Sequence, residues 1–406
     1  MNTSGTVDAQ ATAPSRVPYR TLIWLAVATF TTGIDGYVLA GLLPDIAADL
    51  DVTAALAGQL VAVFALTSAV AGPILGALTS GWEQRRTILA ALATFIAGNL
   101  LTAIAPTYAM ALSGRVVAAL GGCLLGAAVT GYVVHLVPER HRGRALSFVL
   151  GGWMTATALG VPVGLILGQS SWRLPLILVS AVGAAALVGI ALRLPHLRYP
   201  SSSLRARLRP LAQPRLVAGL LVSTGVLCAS YICFTYAVLI LGPTHSAPWM
   251  MIVLMCAYGV ASMSGNAVTG RLADRFSPVR VLTLILAGLL VNALFGALSL
   301  ALAAPAAVAV LSVVWFVLAG IGNGGHAVPQ QARLAAMAPA SASVVMALNA
   351  SAISLGNALG GGAGGLALAG GLDPSRLPLL AAAVLAVTLP LHLLVARWPR
   401  RPRPVR

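Results

Sequence analysis

Long apolar stretches recur along the whole chain and constrain its fold more than any other feature. Each runs for about 20 residues, the length at which an α-helix crosses roughly 30 Å of hydrocarbon. Hydrophobic residues form 59% of the sequence and charged residues 8%, a balance that excludes an ordinary soluble domain. The sequence therefore predicts an all-α membrane protein with twelve transmembrane helices. The predicted spans, numbered 1 to 12, cover residues 20–43, 54–78, 87–105, 108–137, 145–168, 173–193, 215–241, 248–270, 279–303, 306–332, 342–370 and 374–396.

The distribution of arginine predicts how these spans are oriented. The chain contains no lysine, and its positive charge rests on 25 arginines. Only Arg173 and Arg376 lie in odd-numbered connections and Arg115 lies within a span, so the other 22 occupy the even-numbered connections and the tails. Because basic loops stay in the cytoplasm, we expect both termini there, in the inner membrane of a bacterium. The net charge of +16 then faces an anionic lipid leaflet, which argues against nucleic-acid binding.

One polar interruption, rich in Arg, Ser and Pro, divides the spans six and six, and it predicts a cytoplasmic linker. We therefore expect a pair of six-helix bundles. The predicted domains are an N-terminal tail at 1–19, a first bundle at 20–193, the linker at 194–214, a second bundle at 215–397 and a basic tail at 398–406.

The two halves also resemble one another. GALTSGWEQRR from Gly76 aligns without gaps on GRLADRFSPVR from Gly270. At nearly the same spacing, three glycines of span 5 match three glycines of span 11. Two independent matches indicate a duplicated bundle, hence a pseudo-twofold axis along the membrane normal and a substrate site between the halves.

Asp35 is the only carboxylate inside any predicted span. At 1.5 Å rise per residue it lies roughly 22 Å from Arg20 and 15 Å from Asp45, well within the bilayer. An ionisable group at that depth is costly and marks a pathway or a proton relay. Arg115 is the only arginine placed well inside a span, and we expect it to act with Asp35, directly or through water. The alternative for Arg115 is a snorkelling side chain that reaches the outer surface.

Taken in order, the motifs resemble the major facilitator superfamily, and within it the twelve-span drug:proton antiporters that include chloramphenicol-efflux and sugar-efflux proteins. The resemblance rests on GLLPDIAADLDVTAALAGQL at 41–60, on ALGVPVGLILG at 158–168 followed by SWR, and on GRLADR at 270–275. It implies a monomeric exporter without a cofactor, in which Asp35, held between the halves, is protonated from outside and deprotonated inside while access alternates.

The resemblance also implies an inner gate between the loops that follow spans 2 and 8. Its residues are Gly270, Asp274, Arg275 and Arg280 in the second half and Glu83, Arg85 and Arg86 in the first. The first-half loop departs from the family pattern, because Ser80 stands where the family has Asp. Its latch is therefore altered, with Glu83 as the candidate replacement acid. The plain alternative is a pair of basic cytoplasmic turns.

Span 5 carries the candidate antiporter motif, made of Gly160, Pro162, Gly164 and Gly168. Small residues every four positions give a helix a flat face for close packing, and Pro162 predicts a kink. In the resembled family this seam seals the pathway toward the cytoplasm. Close packing in an ordinary membrane bundle is the alternative.

Polar and aromatic residues on interior spans are the candidate substrate contacts, although each could instead pack or bond helices. They are Tyr37, Tyr132, Tyr231, Phe234, Tyr236, His326 and Asn349. The remaining inner faces are mostly Ala, Gly, Val and Leu, which favours a small, mostly neutral or apolar drug such as a chloramphenicol-like antibiotic. An exporter of a sugar, nucleoside or biosynthetic product stays open.

Other classes of membrane protein fit the sequence poorly. An intramembrane enzyme needs paired acids, a His/Glu metal cluster or a GxSxG serine, and ATP-driven transport needs a Gly-rich phosphate loop with Lys. The six histidines and four cysteines are scattered without metal-ligand spacing.

Overall fold

The computed structural model describes residues 19–197, 209–245, 247–302 and 304–398, and within these ranges the chain is helical with no strand. Twelve helices are long and apolar enough to cross a membrane, as the sequence predicts. They are α1 Tyr19–Gly41, α2 Ala54–Leu78, α3 Gln84–Ala103, α4 Tyr108–Leu136, α5 His141–Gly168, α6 Arg173–Arg193, α7 Pro214–Phe234, α8 Trp249–Arg275, α9 Pro278–Ala301, α10 Ala306–Met337, α11 Val344–Ala369 and α12 Pro374–Arg397.

Most of the predicted linker, at 198–208, and of the two predicted tails, at 1–18 and 399–406, lies outside the described residues. The domain boundaries therefore stay a prediction. The helix α1 begins, and α6 and α12 terminate, at the same end of the molecule. We call it the linker end. Short helices at the opposite end, Leu43–Asp49 and Ala237–Leu241, follow α1 and α7 at equivalent places in the two halves.

Helix packing repeats between the halves. In the first bundle α1 packs on α5 and α6, α2 on α4, and α3 on α4 and α6. In the second bundle α7 packs on α11 and α12, α8 on α10, and α9 on α10 and α12. Each pair therefore has its counterpart six helices later, which is the expected pair of pseudo-symmetric six-helix bundles. Between the bundles, α2 packs on α11 and α5 on α8.

Glycines bring α5 close to α1. A Cβ atom added to Gly160 would lie 2.4 Å from Ile34 Cγ1, and one added to Gly164 would lie 2.6 Å from Val38 Cγ2. Gly168 meets Leu42 in the same way. The seam thus packs α5 against α1 within the first bundle, as close packing of small residues allows.

The second bundle repeats this seam on α11. A Cβ atom on Gly356 would lie 2.5 Å from the Thr224 carbonyl oxygen, and one on Gly360 would lie 2.4 Å from that of Cys228. The matching glycines of α5 and α11 therefore have the same role, because in each bundle they allow the fifth helix to pack closely against the first.

Just before Pro162, where the sequence predicts a kink, α5 contains a π-helical turn at Ala156–Gly160, followed by the α-helical segment Val161–Gly168. Pro162 has no N–H to donate to this preceding turn. The Ala158 carbonyl oxygen instead faces Cys256 Sγ of α8 at 3.7 Å. Gly259 lets α8 approach here, since a Cβ atom on it would lie 2.9 Å from the Thr157 carbonyl oxygen. The irregular turn is therefore a point of contact between the bundles.

Candidate functional site

Asp35 and Arg115 form a bidentate ion pair. Arg115 Nη1 donates to Asp35 Oδ1 at 2.7 Å, and Nη2 donates to Oδ2 at 3.1 Å. Both residues are 1% exposed. Arg115 therefore does not snorkel, and the two intramembrane charges that the sequence singles out contact each other directly.

The surroundings of the pair belong to the first bundle. The guanidinium of Arg115 lies over the Phe64 ring at 4.4 Å from its centroid, and Arg115 Nε is 3.5 Å from the Leu60 carbonyl oxygen. Phe64 and Leu60 are on α2, so α1, α2 and α4 enclose the charges. The expected position of Asp35 between the two halves is therefore corrected: the carboxylate points into its own bundle, because α1 turns this face toward α4.

Tyr37, two residues after Asp35, faces the other way. Its ring meets Trp153 of α5 at 6.4 Å and Phe234 of α7 at 5.4 Å between centroids, both edge to face. Two neighbouring faces of α1 therefore have different contacts. The face with Asp35 contacts α4, and the face with Tyr37 contacts the second bundle.

The ring contacts continue into the second bundle. Phe234 stacks near Tyr258 of α8 at 5.0 Å, and Tyr258 lies 4.8 Å from Phe316 of α10. Trp315 follows at 6.0 Å from Phe316. We call the six rings from Trp153 to Trp315 the aromatic series. It crosses the boundary between the bundles and is suited to stacking against a flat or apolar ligand.

A cavity of about 40 Å³ opens beside this series, and its lining includes Phe234, Tyr258, Asn292, Trp315 and Phe316. Asn292 Nδ2 donates to the Trp315 carbonyl oxygen at 3.1 Å, while its Oδ1 is buried without a hydrogen-bond partner in the described part of the chain. Most of these residues were missed by the sequence reasoning. Only the pairing of Trp315 with Phe316 in an otherwise aliphatic span could have drawn attention to them.

Two predicted substrate contacts instead tie helices together. Tyr132 is fully buried, and its hydroxyl donates to the Pro195 carbonyl oxygen at 2.8 Å at the linker end. Tyr236 is also fully buried, and its hydroxyl donates to the Gly361 carbonyl oxygen of α11 at 2.9 Å. The structure does not bring either of them to the aromatic series.

The other polar candidates lie inside the second bundle. Asn349 is 3% exposed and accepts a hydrogen bond from Ser223 Oγ at 2.6 Å, joining α11 to α7. His326 is buried where α10 breaks into two helical segments, with Nδ1 against the Asn323 carbonyl oxygen. Tyr231 packs 5.6 Å from Phe234 and so borders the aromatic series.

The predicted gate residues of the second half lie in the open. Asp274 and Arg275 are exposed and line an open cavity of about 390 Å³ at the end of α8. Arg280 is exposed at the start of α9, and a Cβ atom added to Gly270 would lie 4.0 Å from Val328 Cγ2. Among the described residues, no salt bridge joins these side chains to the first bundle.

The corresponding first-half loop is bound within its own bundle. The Glu83 carboxylate caps α3 by accepting from the Arg85 backbone N–H at 3.0 Å, and it lies 3.6 Å from Arg86 Nε. Arg85 donates to the Ala191 carbonyl oxygen and lies 3.2 Å from His196 Nε2. Glu83 is thus placed as a helix cap.

At the opposite end, a second ion pair fastens α6. Arg173 donates to Asp49 Oδ2 and, through Nη2, to the Ala105 carbonyl oxygen at 2.9 Å. Trp172 Nε1 also donates to Asp49 Oδ2, at 3.1 Å. Hydrogen bonds from Arg173 first and Trp172 second hold the pKa of Asp49 below its ordinary value. This cluster explains the position of Arg173, one of the two arginines that lie in odd-numbered connections.

The two bundles are in contact at the ends of their helices remote from the linker end. Besides Tyr37 and Phe234, the glycines Gly58 and Gly365 receive the Tyr236 ring, and a Cβ atom on either would lie within 2.5 Å of the hydroxyl oxygen. Contact between α2 and α11 extends further toward the linker end, as far as Gly72. The aromatic series thus lies at a boundary closed on the side away from the linker.

The sequence profile described as Major Facilitator Superfamily matches residues 25–294. A chloramphenicol resistance protein of Streptomyces lividans is 34% identical over 302 residues, covering 72% of this chain and 76% of that protein. The inner membrane transport protein YdhP of Escherichia coli is 29% identical over 390 residues, covering 93% and 96%. A chloramphenicol efflux pump of Mycobacterium tuberculosis is 30% identical over 263 residues, 62% of each chain.

Solved structures show the same fold. A bacterial homologue of the human lysosomal transporter Spinster, inward-facing and unoccupied, superposes with a TM-score of 0.74 at 16% identity, covering 94% of this chain and 98% of that one. A D-xylose–proton symporter gives a TM-score of 0.75 at 14% identity, with the same coverage. Together with the family profile and the transporter relatives, the twelve helices in two matched bundles show that this chain is a multi-pass membrane transporter of the Major Facilitator Superfamily.

Proposed function

We propose that this transporter exports a small, mostly neutral or apolar drug in exchange for protons, with a chloramphenicol-like antibiotic as its substrate. One observation carries the proton coupling: Asp35 is buried and bound through both oxygens to Arg115. Binding a proton removes the negative charge that Arg115 pairs with, so in this proposal proton binding at Asp35 is linked to opening of this contact.

The substrate class follows from the cavity and the relatives. The lining beside the aromatic series is mostly apolar, with Ser230 and Asn292 among its few polar members. A sugar site needs many hydrogen-bonding groups, whereas stacking rings with few polar neighbours suit an aromatic molecule better than a sugar. The resistance and efflux relatives named for chloramphenicol support the same class.

The placement of charge supports an orientation of the transporter in the membrane. The basic loops put the linker end and both termini in the cytoplasm of a bacterial inner membrane. Contacts between the bundles then close the outer side, and the exposed Asp274 and Arg275 face the cytoplasm. In this reading the structure represents a state that accepts substrate from inside, and alternating access requires the bundles to rock and close at the linker end.

Transport in inside-out vesicles with an imposed pH gradient tests the coupling. We expect wild-type vesicles to accumulate labelled chloramphenicol and Asp35→Asn vesicles to lose this gradient-driven uptake. Asp45→Asn is the matched control, since it removes an exposed carboxylate just beyond the same helix. An Asp35→Asn protein that pumps at the wild-type rate would remove the proposed proton site.

Growth inhibition by a panel of antibiotics, with and without the expressed protein, tests the substrate class. We expect protection against amphenicols and not against polyvalent cations. If only sugars or nucleosides compete for transport, the drug assignment fails while the coupling result still stands.

A further inference from the structure

A second buried arginine lies in α10, inside the second bundle near the linker end. Arg333 is 5% exposed. Span 10 was predicted to end at residue 332, but the helical segment Ala327–Met337 continues past Arg333. Among the described residues, no aspartate or glutamate pairs with its guanidinium. A buried cation without a counter-ion is costly, so this position calls for an anionic group.

His392 of α12 does not supply that negative charge. Arg333 Nη1 lies 2.5 Å from His392 Nδ1, and His392 Nε2 lies 2.9 Å from Thr283 Oγ1. The Thr283 hydroxyl donates its one hydrogen to the Val279 carbonyl oxygen at 2.8 Å, so its oxygen accepts from His392 Nε2. The imidazole is then neutral, with Nδ1 as the acceptor for Arg333. It orients the guanidinium and leaves the charge uncompensated.

The other edge of the guanidinium is unused. Arg333 Nε and Nη2 are both buried and have no hydrogen-bond partner within the described ranges. These two nitrogens share one edge of the planar group, and their parallel N–H bonds are the fork that grips two oxygens of one oxyanion. The orphaned donors therefore match the shape of a single ligand.

A second arginine, Arg215, lies at the start of α7, near Arg333. It stands one helical turn before Gly219, whose carbonyl oxygen accepts a hydrogen bond from Gln330 Nε2 of α10 at 2.7 Å, and its positive charge acts on that of Arg333. Its Nε is likewise buried without a partner in the part of the chain that the structure describes. Two cations held close together repel each other, and a group with more than one negative charge relieves this repulsion.

We propose that Arg333 and Arg215 bind a phosphate group at the linker end of the second bundle. Arg333 stands four residues before the end of α10, about 6 Å along the axis, which is the depth of the headgroup boundary and not of the bilayer centre. A phospholipid headgroup or free phosphate can supply the group. The site shares no residue with the proton pair or the aromatic series, so it stands independently of the proposed drug export.

The test uses the purified full-length protein and its melting temperature. One arm titrates inorganic phosphate in neutral detergent, against chloride at equal ionic strength. The other compares phosphatidylcholine nanodiscs with and without phosphatidylglycerol. We expect stabilisation in at least one arm, and we expect Arg333→Gln to raise the half-saturating concentration at least tenfold or to abolish the lipid effect. Arg397→Gln, an exposed arginine at the same end of α12, is the matched control.

The two arms separate the sources of the phosphate. A phosphate response in detergent supports a free anion, and a response confined to phosphatidylglycerol supports a headgroup. Arg333→Lys keeps the charge without the fork and is expected to recover only part of the effect. If Arg333→Gln does not fold, Arg215→Gln and Arg333→Lys carry the same comparison. Equal responses in the wild type and these variants, or no response in either arm, would overturn the site.

Discussion

Asp35 accepts a separate hydrogen bond on each carboxylate oxygen from Arg115, at 2.7 and 3.1 Å, and so joins α1 to α4 inside the first bundle. Binding a proton at Asp35 removes the negative charge that Arg115 pairs with, so we expect this contact to loosen when the proton binds. Protonation is thereby linked to movement between two helices of one bundle.

Replacing Arg115 with lysine keeps the charge and removes the two-pronged contact. It also removes the flat cation over the Phe64 ring. We expect gradient-driven uptake in inside-out vesicles to fall at least tenfold, with the protein still folded. Arg144→Lys is the control, because Arg144 is exposed and belongs to no predicted site. Equal loss in both variants would show a general effect of the substitution.

The same pair predicts a stability pattern. Removing one partner leaves a buried charge, which costs about 3–5 kcal/mol, whereas removing both leaves none. We therefore expect the double variant Asp35→Asn/Arg115→Gln to melt at a higher temperature than Asp35→Asn alone. A double variant that melts lower would contradict the ion pair.

Two adjacent glycines of α5 should respond in opposite ways to alanine. A Cβ atom on Gly152 would lie 2.1 Å from the Ala26 carbonyl oxygen, a backbone atom that cannot move aside. A Cβ atom on Gly151 has no neighbour within 4 Å. We expect Gly152→Ala to lower the melting temperature and Gly151→Ala to leave it unchanged or raise it slightly, since alanine favours a helix by up to about 1 kcal/mol. Equal melting temperatures would mean that α5 and α1 are not packed this closely.

Acid should weaken the cluster around Asp49. Its pKa in the folded protein lies below the ordinary value of 3.8 because of hydrogen bonds from Arg173 and then Trp172. A carboxylate whose pKa is depressed by folding contributes stability above its unfolded pKa and loses it as the pH falls through the folded value. We expect the melting temperature to drop below about pH 4, and Asp49→Asn to lessen that drop. Asp51→Asn, in the same loop, should retain the wild-type profile.

Tyr37 should affect substrate binding more than stability. Its half-buried ring bridges α1 to Phe234 of the second bundle, and Phe234 lines the cavity. We expect Tyr37→Leu to raise the KM for aromatic drugs several-fold while kcat changes little. Tyr132→Phe removes the hydroxyl bond to Pro195, far from the aromatic series, and serves as the control. If both variants have the wild-type KM, the aromatic series does not contact substrate.

The fold could be predicted because span length and charge placement act locally along the chain. The exception was the end of α10, where Arg333 looked like a loop arginine and is in fact enclosed by α9 and α12. Charge alone does not reveal whether a helix ends or continues into a packed bundle.

The site could be predicted only in part. Asp35 was identified because a lone acid in hydrocarbon is costly. Its direct contact with Arg115 depends on how α1 and α4 rotate against each other, which residue spacing does not determine. Asn292, Tyr258 and Phe316 went unnoticed because each resembles an ordinary core residue until the helices converge around the cavity.

The irregular turn of α5 has a consequence for reversible motion. The Ala158 carbonyl lies in the turn that Pro162 cannot bond to, and it receives a thiol from α8, one of the weakest donors in proteins. Parting the bundles there sacrifices little enthalpy, and water can solvate the exposed oxygen at once. The contact between the bundles at this point is therefore weak and can re-form quickly, as expected of two bundles that separate and meet again in every transport cycle.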